Sequence, residues 1–402
     1  NITKREKTMK YEEVLNKDKR ITILTLSWRD IKSPNAGGAE VHTHEMLKRL
    51  DKNKFRIIHL AGKYADEKDN EVIDGVNYIR KGSVFTVIWY AFLYYRKNCK
   101  NIDFVIDECN THRFFTPLYV NKYKRIFYIH QLTREIWDIN CKWPFNWIGK
   151  MLETPVLKLN KNDYVITVSQ STKNDLIALG YNADRIIIIP NGISFAPWKM
   201  EQMYEKEQEP TFIFVGRYSW YKGIDVAVEA LGLLKKKYKK ARLWILGKKD
   251  EDYIRNKLNP ISDKYHMKWG EHNDIDVDII AWGFVSEEKK LELLSRATAL
   301  VFPSIREGWG IPITEAAIVG TPSIVFDAPG LRDAVNGGEA GYLCKFNNAN
   351  GLKDMMEKVI LDKTFYEKKR IDAYNFSKQF QWENTGKLLE NFLLKINLKH
   401  RY

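Results

Sequence analysis

The feature that most constrains the fold is a series of short apolar runs, rich in Ile and Val, that alternate with segments of helical periodicity. In the first half these runs are RITILTLS (20–27), FRIIHLAG (55–62), DFVIDECN (103–110), RIFYIHQ (125–131), DYVITVS (163–169) and RIIIIPNG (185–192). Their hydrophobicity is continuous rather than alternating, which predicts buried parallel strands. Segments such as AEVHTHEMLKRLDK (39–52) and STKNDLIALG (171–180) predict helices between them. The pattern indicates repeated βαβ units.

The same alternation restarts after a polar break at residues 195–210, FAPWKMEQMYEKEQEP, which we interpret as a linker. The second set of runs is TFIFVGR (211–217), ARLWILG (241–247), IDVDIIAWGFV (275–285), ATALVFPS (297–304) and TPSIVFDAP (321–329). A chain of 402 residues also exceeds one ordinary core. The sequence therefore predicts an α/β protein with two Rossmann-like, doubly wound domains, 20–194 and 211–375, that face each other across a cleft.

The two ends of the chain fall outside these domains. Residues 1–19 are polar and charged and predict an N-terminal extension rather than a signal peptide. The segment FSKQFQWENTGKLLENFLLKI (376–396) is amphipathic and predicts a helix. We expect residues 376–402 to pack back across the cleft onto the N-terminal domain.

Composition limits the compartment and the partners. The four cysteines have no paired spacing, which argues against disulfides and a zinc site and favours a reducing compartment. The longest apolar run, SVFTVIWYAFLYY (83–95), is too short to span a bilayer, so we expect a soluble or peripheral cytoplasmic protein. The net charge of +14 indicates an anionic partner, but leaves open nucleic acid, anionic lipid or a phosphorylated ligand.

Several polar residues follow predicted strands, where open α/β sheets bind ligands. Gly37 and Gly38 in GGAE open a helix and would let the backbone approach an anion, although such turns also occur for steric reasons. His130 ends a strand and is either a ligand contact or a structural residue. Arg217 and Lys222 combine a fixed guanidinium with a mobile ammonium, which suits a diphosphate; the alternative is two surface cations.

The stretch REGWGIPITE (306–315) carries two glutamates, Glu307 and Glu315, eight residues apart. In one continuous helix their carboxylates would lie about 80° apart around the axis and about 12 Å apart along it. However, the stretch follows a strand, and Pro312 fits the first turn of a helix. Glu307 would then lie in a loop and Glu315 in the first helical turn, on either side of an anion-binding helix end. The alternative is that neither glutamate binds a ligand: Glu315 would then only stabilise the helix dipole, and Glu307 would be solvated.

Together these residues resemble glycosyltransferase family 4, also described as glycosyl transferases group 1, whose members are retaining enzymes of the GT-B fold. The resemblance covers residues 20 to 396. Its most specific element is the pair Glu307 and Glu315; GGAE, His130, VSQST (168–172), IPNGI (189–193), VGR…KG and FPS…EGWG occur in the family's order. The residues implied in donor binding are Gly37, Gly38, Arg217, Lys222, Gly247, Phe284, Val285, Glu307, Gly308, Trp309, Gly310, Ile311 and Glu315. Those implied in transfer are His130, Arg217, Lys222 and Glu307.

The resemblance also implies a role for each group. Arg217 and Lys222 would neutralise the diphosphate of a UDP- or GDP-sugar, and Glu307 would bind the sugar hydroxyls. Glu315 would bind the ribose, and His130 the sugar or the leaving phosphate. Backbone contacts near Gly247 and at 284–285 would select the base.

The resemblance implies no cofactor and no metal, because the basic pair and the helix dipole replace a cation. NDIDVD (273–278) contains Asp-x-Asp, but it leads into a predicted strand, so we expect no metal role there. His42 and His44 in HTHE are two apart and face different sides of a helix, which does not suit zinc. The leaving diphosphate oxygen would deprotonate the acceptor on the same face of the sugar, which gives retention.

The acceptor is expected on the N-terminal domain, where two stretches combine aromatic and basic residues, 84–100 and 134–150. This combination favours a membrane interface and a lipid-linked acceptor, although core packing and stacking on sugars remain alternatives. Candidate acceptor contacts are Asn110, His112, Arg134 and Trp137. We expect a saccharide or lipid-linked acceptor and an anionic membrane surface as partners.

Two rival functions fit parts of the sequence. A nucleotide-sugar epimerase of the same architecture would also bind a sugar nucleotide, but EGWG and VGR…KG fit a transferase better. A nucleic-acid-binding protein would explain the net charge, but the basic residues are dispersed and no recognition module is evident, so we expect no nucleic acid.

Overall fold

The computed structural model describes residues 20–65, 67–109, 113–271, 274 and 276–401. The strands of the first half are β1 (Ile21–Leu26), β2 (Phe55–Ala61), β3 (Asn70–Ile73), β4 (Val76–Arg80), β5 (Phe104–Cys109), β6 (Arg125–Ile129), β7 (Tyr164–Thr167) and β8 (Ile186–Ile188). Those of the second half are β9 (Thr211–Val215), β10 (Arg242–Leu246), β11 (Trp269–Gly270), β12 (Ile279–Gly283), β13 (Ala299–Phe302), β14 (Ser323–Val325) and β15 (Tyr342–Leu343).

Helices connect and cover these strands. They are α1 (Gly38–Lys48), α2 (Val87–Asn98), α3 (Trp137–Asn140), α4 (Phe145–Leu157), α5 (Gln170–Ala178), α6 (Ile224–Lys235), α7 (Glu251–Tyr253), α8 (Asn259–Lys264), α9 (Glu287–Arg296), α10 (Ile311–Ile318), α11 (Leu331–Ala334), α12 (Ala349–Leu361), α13 (Lys363–Ser377) and α14 (Trp382–Arg401). A π-helical segment, Ile254–Leu258, joins α7 to α8.

The strands form two sheets, one on each side of the predicted linker. The first has the order β3-β4-β2-β1-β5-β6-β7-β8 and the second β11-β12-β10-β9-β13-β14-β15. Each of the eleven apolar runs predicted as strands contains a strand, and these strands pair in parallel. The prediction of two doubly wound sheets is therefore confirmed.

The sequence reasoning missed a hairpin at one edge of the first sheet. Strands β3 and β4 pair antiparallel around Asp74 and Gly75, which both have positive φ angles of 51° and 77°. Asp-Gly is a strong signal for a tight hairpin turn because both central residues need that conformation. The signal was therefore present in the sequence.

The predicted single helix from residue 376 is wrong. Helix α13 ends at Ser377, and α14 begins only at Trp382, because the chain pairs as a short parallel bridge between Gln381 and Ile193 in between. Helix α14 then packs on α1, where Glu383 lies 3.0 Å from Arg49. The C-terminal helix does return to the first sheet, but through a bend.

Candidate active site

One predicted cation and one predicted carboxylate, Lys222 and Glu307, meet beyond the carboxyl ends of two adjacent strands, β9 and β13. The Nζ atom of Lys222 lies 2.5 Å from Oε1 of Glu307, and the hydroxyl of Ser304 lies 2.7 Å from the same oxygen. Lys222 is therefore held in place, and the expectation of a mobile ammonium is wrong. Arg217 is exposed, and it forms no ion pair within the part of the chain that the structure describes.

The backbone of the Glu307 loop is fixed by the segment that follows β14. The amide of Glu307 donates to the carbonyl of Pro329 at 3.2 Å. Gly330 has a φ of +79°, and a Cβ atom there would lie 2.2 Å from the carbonyl oxygen of Glu307. Only glycine fits this approach. The sequence reasoning did not identify this support, although the Pro-Gly pair in DAPG was a turn signal.

Helix α10 begins one residue after Gly310, and Pro312 is its second residue, as predicted. Glu315 is the fifth residue of the helix and lies just beyond the first turn, so the prediction that it lies in the first turn is wrong by about one residue. Its side chain is buried, and Oε1 lies 2.9 Å from Nζ of Lys290 on α9. Burial raises the pKa of Glu315. Lys290 was not foreseen, because no motif connects it to this helix.

The loop between the two glutamates touches the N-terminal domain. A Cβ atom at Gly308 would lie 3.1 Å from the carbonyl oxygen of His130. The hydroxyl of Thr172, in the VSQST segment, donates to that carbonyl at 3.0 Å. Trp309 is buried, and its ring lies 4.8 Å from that of Phe380. Residues predicted from distant segments thus meet across the cleft.

His130 carries a neutral imidazole. Burial lowers its pKa to about 3, and its ring lies 5.4 Å from the ring of His42. The Nε2 atom is buried and has no hydrogen-bond partner among the described residues. A neutral ring retains one N–H donor. His130 therefore has a polar atom available for a ligand, but no positive charge at neutral pH.

The GGAE turn lies on the opposite wall of the cleft. Helix α1 begins at Gly38, and a Cβ atom at that position would lie 3.0 Å from Cδ1 of Ile311 in α10. The carboxylate of Glu40 accepts the amide of Gly37 at 2.7 Å and pairs with Arg29 at 3.1 Å. Glu40 thus orders the glycine turn, a role that the sequence reasoning did not assign.

Arg306, the residue before Glu307, connects the two domains. It is 8% exposed. Its Nε atom lies 2.9 Å from Glu135, and Nη1 lies 2.9 Å from Asp175 on α5. Both partners belong to the N-terminal domain, so the loop that carries Glu307 is anchored across the cleft.

The remaining predicted residues are those expected to contact the base and the acceptor. Gly247, Phe284 and Val285 follow β10 and β12, which are neighbours in the sheet, and Phe284 is strongly exposed. Arg134 donates to the hydroxyl of Thr154 at 3.0 Å, and the indole of Trp137 donates to Glu153 at 3.3 Å. Both side chains therefore contact α4. Asn110 and His112 lie outside the described residues.

In the described ranges, no group of three or more His, Cys, Asp or Glu side chains is placed to hold a metal ion. No helix in those ranges is long and apolar enough to cross a bilayer.

Two family models match consecutive parts of the chain. Residues 36–196 match "Glycosyltransferase Family 4", and residues 198–379 match "Glycosyl transferases group 1". A glycogen synthase of Mycobacterium tuberculosis is 26% identical over 231 residues, which are 57% of this chain and 53% of that protein. The chain thus spans about half the length of this relative. An uncharacterised glycosyltransferase of Methanocaldococcus jannaschii is 26% identical over 359 residues, 87% of this chain and 92% of the relative.

Solved structures share the fold. Sucrose-phosphate synthase from Thermosynechococcus elongatus aligns over 95% of this chain and 100% of its own, with a TM-score of 0.73 and 19% identity. Anabaena HepE in complex with UDP-glucose aligns over 94% of this chain and 100% of its own, with a TM-score of 0.68 and 15% identity. The chain belongs to the glycosyltransferases of the two-domain GT-B fold, with a family 4 N-terminal domain and a group 1 C-terminal domain.

Proposed function

We propose that this protein is a retaining, metal-independent glycosyltransferase that moves a hexose-type sugar from a UDP- or GDP-sugar to a saccharide or lipid-linked acceptor. One observation carries the proposal. Lys222 and Glu307 meet beyond the carboxyl ends of adjacent strands, 2.5 Å apart, and α10 begins four residues after Glu307. A cation, a hydroxyl-binding carboxylate and a positive helix end are the groups that a sugar diphosphate requires.

The donor would bind mainly to the C-terminal domain. Arg217 and Lys222 would neutralise the diphosphate, and Glu307 would accept hydrogen bonds from the sugar. Glu315 would bind the ribose hydroxyls through its carboxylate, which also forms an ion pair with Lys290. The bound UDP-glucose of HepE supports a nucleotide-sugar donor, because that protein has the same fold.

The transfer step needs little covalent chemistry from the protein. The bond between the anomeric carbon and the diphosphate oxygen breaks, and the acceptor oxygen bonds to that carbon on the same face. The acceptor proton passes to the departing diphosphate oxygen. Lys222, Arg217 and the helix end would stabilise the negative charge on the leaving group, which is the main way that such a site lowers the barrier. His130 would donate a hydrogen bond from its neutral ring.

The acceptor would bind on the N-terminal domain, and the enzyme would work at the cytoplasmic face of a membrane. A capsular polysaccharide glycosyltransferase of Staphylococcus aureus is among the relatives, at 24% identity over 242 residues, which supports a cell-surface glycan as the product.

Calorimetry with UDP, GDP and a DNA oligonucleotide tests the proposal first. We expect one nucleoside diphosphate to bind without added metal, and the oligonucleotide to bind weakly. Tight oligonucleotide binding without nucleoside diphosphate binding would refute the transferase and support the nucleic-acid alternative. A panel of nucleotide-sugars, followed by nuclear magnetic resonance of the anomeric proton in the product, then identifies the donor and tests retention. Interconversion of donor sugars without transfer would instead support an epimerase.

A further inference from the structure

The outer helices of the N-terminal domain expose several large apolar side chains. Phe85 and Trp89 lie at the start of α2, and Trp143, Phe145, Trp147 and Met151 lie around the first half of α4. Each of the six side chains is more than half exposed. We call these six residues the aromatic surface. Single exposed apolar residues are ordinary, but a group of this size marks an interaction site.

The two helices lie on the same face of the sheet. Val87 of α2 packs in one buried cluster with Val105 of β5, and Leu157 of α4 packs in another with Phe127 of β6. Phe127 is paired with Asp107, two residues after Val105, so Val105 and Phe127 point to the same face. The other face is covered by α1, whose Met46 packs in the cluster of Ile106 and Tyr128. The aromatic surface is therefore one side of the domain.

The aromatic residues also lie near the cleft. Strand β4 ends at Arg80 before α2 begins, and β6 ends at Ile129, next to His130, before α4 begins. A crossover helix runs back antiparallel to its strand, so its first turns lie at the carboxyl edge of the sheet. Because His130 and the GGAE turn lie at that edge, after β6 and β1, the aromatic surface flanks the N-terminal, acceptor side of the cleft.

The charges around this surface are mostly positive. Five exposed cations lie on or next to the two helices: Lys142 directly precedes Trp143, Arg96 and Lys97 lie in the last turn of α2, and Lys100 and Lys158 follow α2 and α4. None of the five forms an ion pair within the described part of the chain. The carboxylate of Glu153 on α4 is directed inward, because it accepts the amides of Thr133 at 2.6 Å and Arg134 at 3.0 Å. The outer side of the domain thus presents aromatic rings at the first turns of these helices, and unpaired cations beside Trp143 and at the helix C-termini.

We propose that the aromatic surface docks on an anionic lipid bilayer and places the acceptor side of the cleft at the level of the head groups. Trp and Phe rings favour the interfacial region, and each nearby Lys or Arg adds attraction to anionic lipids. A second copy of the chain fits less well, since a symmetric contact would bring the same unpaired cations together. The orientation relative to the acceptor rests on the proposed transferase function; the docking itself does not.

Vesicle sedimentation tests this proposal without any sugar nucleotide. The probes are phosphatidylcholine vesicles with and without phosphatidylglycerol, at low and high salt. We expect binding to the anionic vesicles that weakens with salt. We expect it to fall at least tenfold in the triple variant Trp143→Ser, Phe145→Ser, Trp147→Ser. The matched control is Phe346→Ser, which removes a 57% exposed ring from the C-terminal domain and should bind like the wild type.

Three outcomes would overturn the proposal. The wild type does not bind anionic vesicles, or the triple variant binds as well as the control, or light scattering shows a dimer that the triple variant dissociates. The last outcome would assign the surface to a second copy. Calorimetry with the nucleoside diphosphate on the same variants shows that they are folded. In the wild type, nucleotide binding without vesicle binding refutes the membrane proposal alone and leaves the proposed transferase standing.

Discussion

The ammonium of Lys222 lies 2.5 Å from a carboxylate oxygen of Glu307, so two groups predicted to hold different parts of the donor hold each other. A diphosphate must compete with Glu307 for Lys222. We therefore expect Glu307→Gln to bind the nucleoside diphosphate at least as tightly as the wild type while transfer falls about 10²-fold or more. Lys222→Ala should lose both properties. Calorimetry and initial rates separate the two effects.

The control for this pair is Lys240→Ala, which breaks an exposed ion pair with Glu209 in the same domain. Exposed pairs contribute little, so binding and transfer should not change. Weaker nucleotide binding in Glu307→Gln than in the wild type would contradict the competition between carboxylate and diphosphate.

Arg306 offers a test of coupling between the domains. Arg306→Gln removes the ion pairs with Glu135 and Asp175, both at 2.9 Å, and leaves the Lys222 pair intact. Because the proposed nucleotide site lies on the C-terminal domain, we expect its affinity to stay the same while kcat falls about tenfold, a barrier increase of about 1.4 kcal/mol. The double variant Arg306→Gln, Glu135→Gln should have nearly the same kcat as Arg306→Gln alone, because both substitutions remove the ion pair between Arg306 and Glu135. Arg332→Gln, which breaks an exposed pair with Asp327, is the control. An unchanged kcat in Arg306→Gln would show that the ion pairs of Arg306 with Glu135 and Asp175 do not affect transfer.

Glu315 can be tested through the ribose. The wild type should bind the 2′,3′-dideoxy nucleotide about tenfold more weakly than the ribonucleotide, because a hydrogen bond to a charged group is lost. Glu315→Gln should bind both nucleotides with similar affinity. Glu287→Gln, which removes the other carboxylate that contacts Lys290, should keep the wild-type preference. A full preference in Glu315→Gln would assign the ribose to another residue.

The sequence predicted the two sheets because buried parallel strands leave a continuous apolar signal. It missed the edge hairpin and the short strands β11 and β15, which have two to five residues each and little hydrophobic periodicity. Candidate residues beyond strand ends, such as Lys222 and Glu307, could be predicted because charged residues stand out directly after buried apolar strands. Lys290, Ser304 and Gly330 support those residues from other segments. Their roles depend on tertiary contacts, and no spacing in the sequence encodes such contacts.

Buried histidines should make the fold sensitive to acid. Burial lowers the pKa of His59 to about 4, whereas an unfolded histidine titrates near 6.5. Below pH 6.5 the unfolded chain binds a proton that the folded chain does not, so stability falls as the pH decreases toward 4. From His59 alone we expect the free energy of unfolding to be about 2 kcal/mol lower at pH 5 than at pH 7.5. Urea denaturation at both pH values should show a smaller loss in His59→Gln. The control His266→Gln, at an exposed position, should lose as much stability between pH 7.5 and pH 5 as the wild type. If His59→Gln also loses as much as the wild type, His59 is not the group that destabilises the fold in acid.

Glu108 should act in the opposite direction. It is 1% exposed at the end of β5, and burial, with the nearby charge of Glu40, raises its pKa to about 8. An unfolded glutamate ionises near pH 4.5, so the folded chain retains a proton that the unfolded chain has lost between these values. The stability associated with this group is therefore present below pH 4.5 and decreases as the pH rises toward 8.

Relative to the wild type, Glu108→Gln should gain about 2–3 kcal/mol of unfolding free energy between pH 5 and pH 7, because the amide has no proton to lose. The exposed control Glu205→Gln should show no such gain. Equal pH dependence in Glu108→Gln and the wild type would mean that the buried carboxyl is ionised at neutral pH, with Arg29 as the nearby cation that compensates its charge.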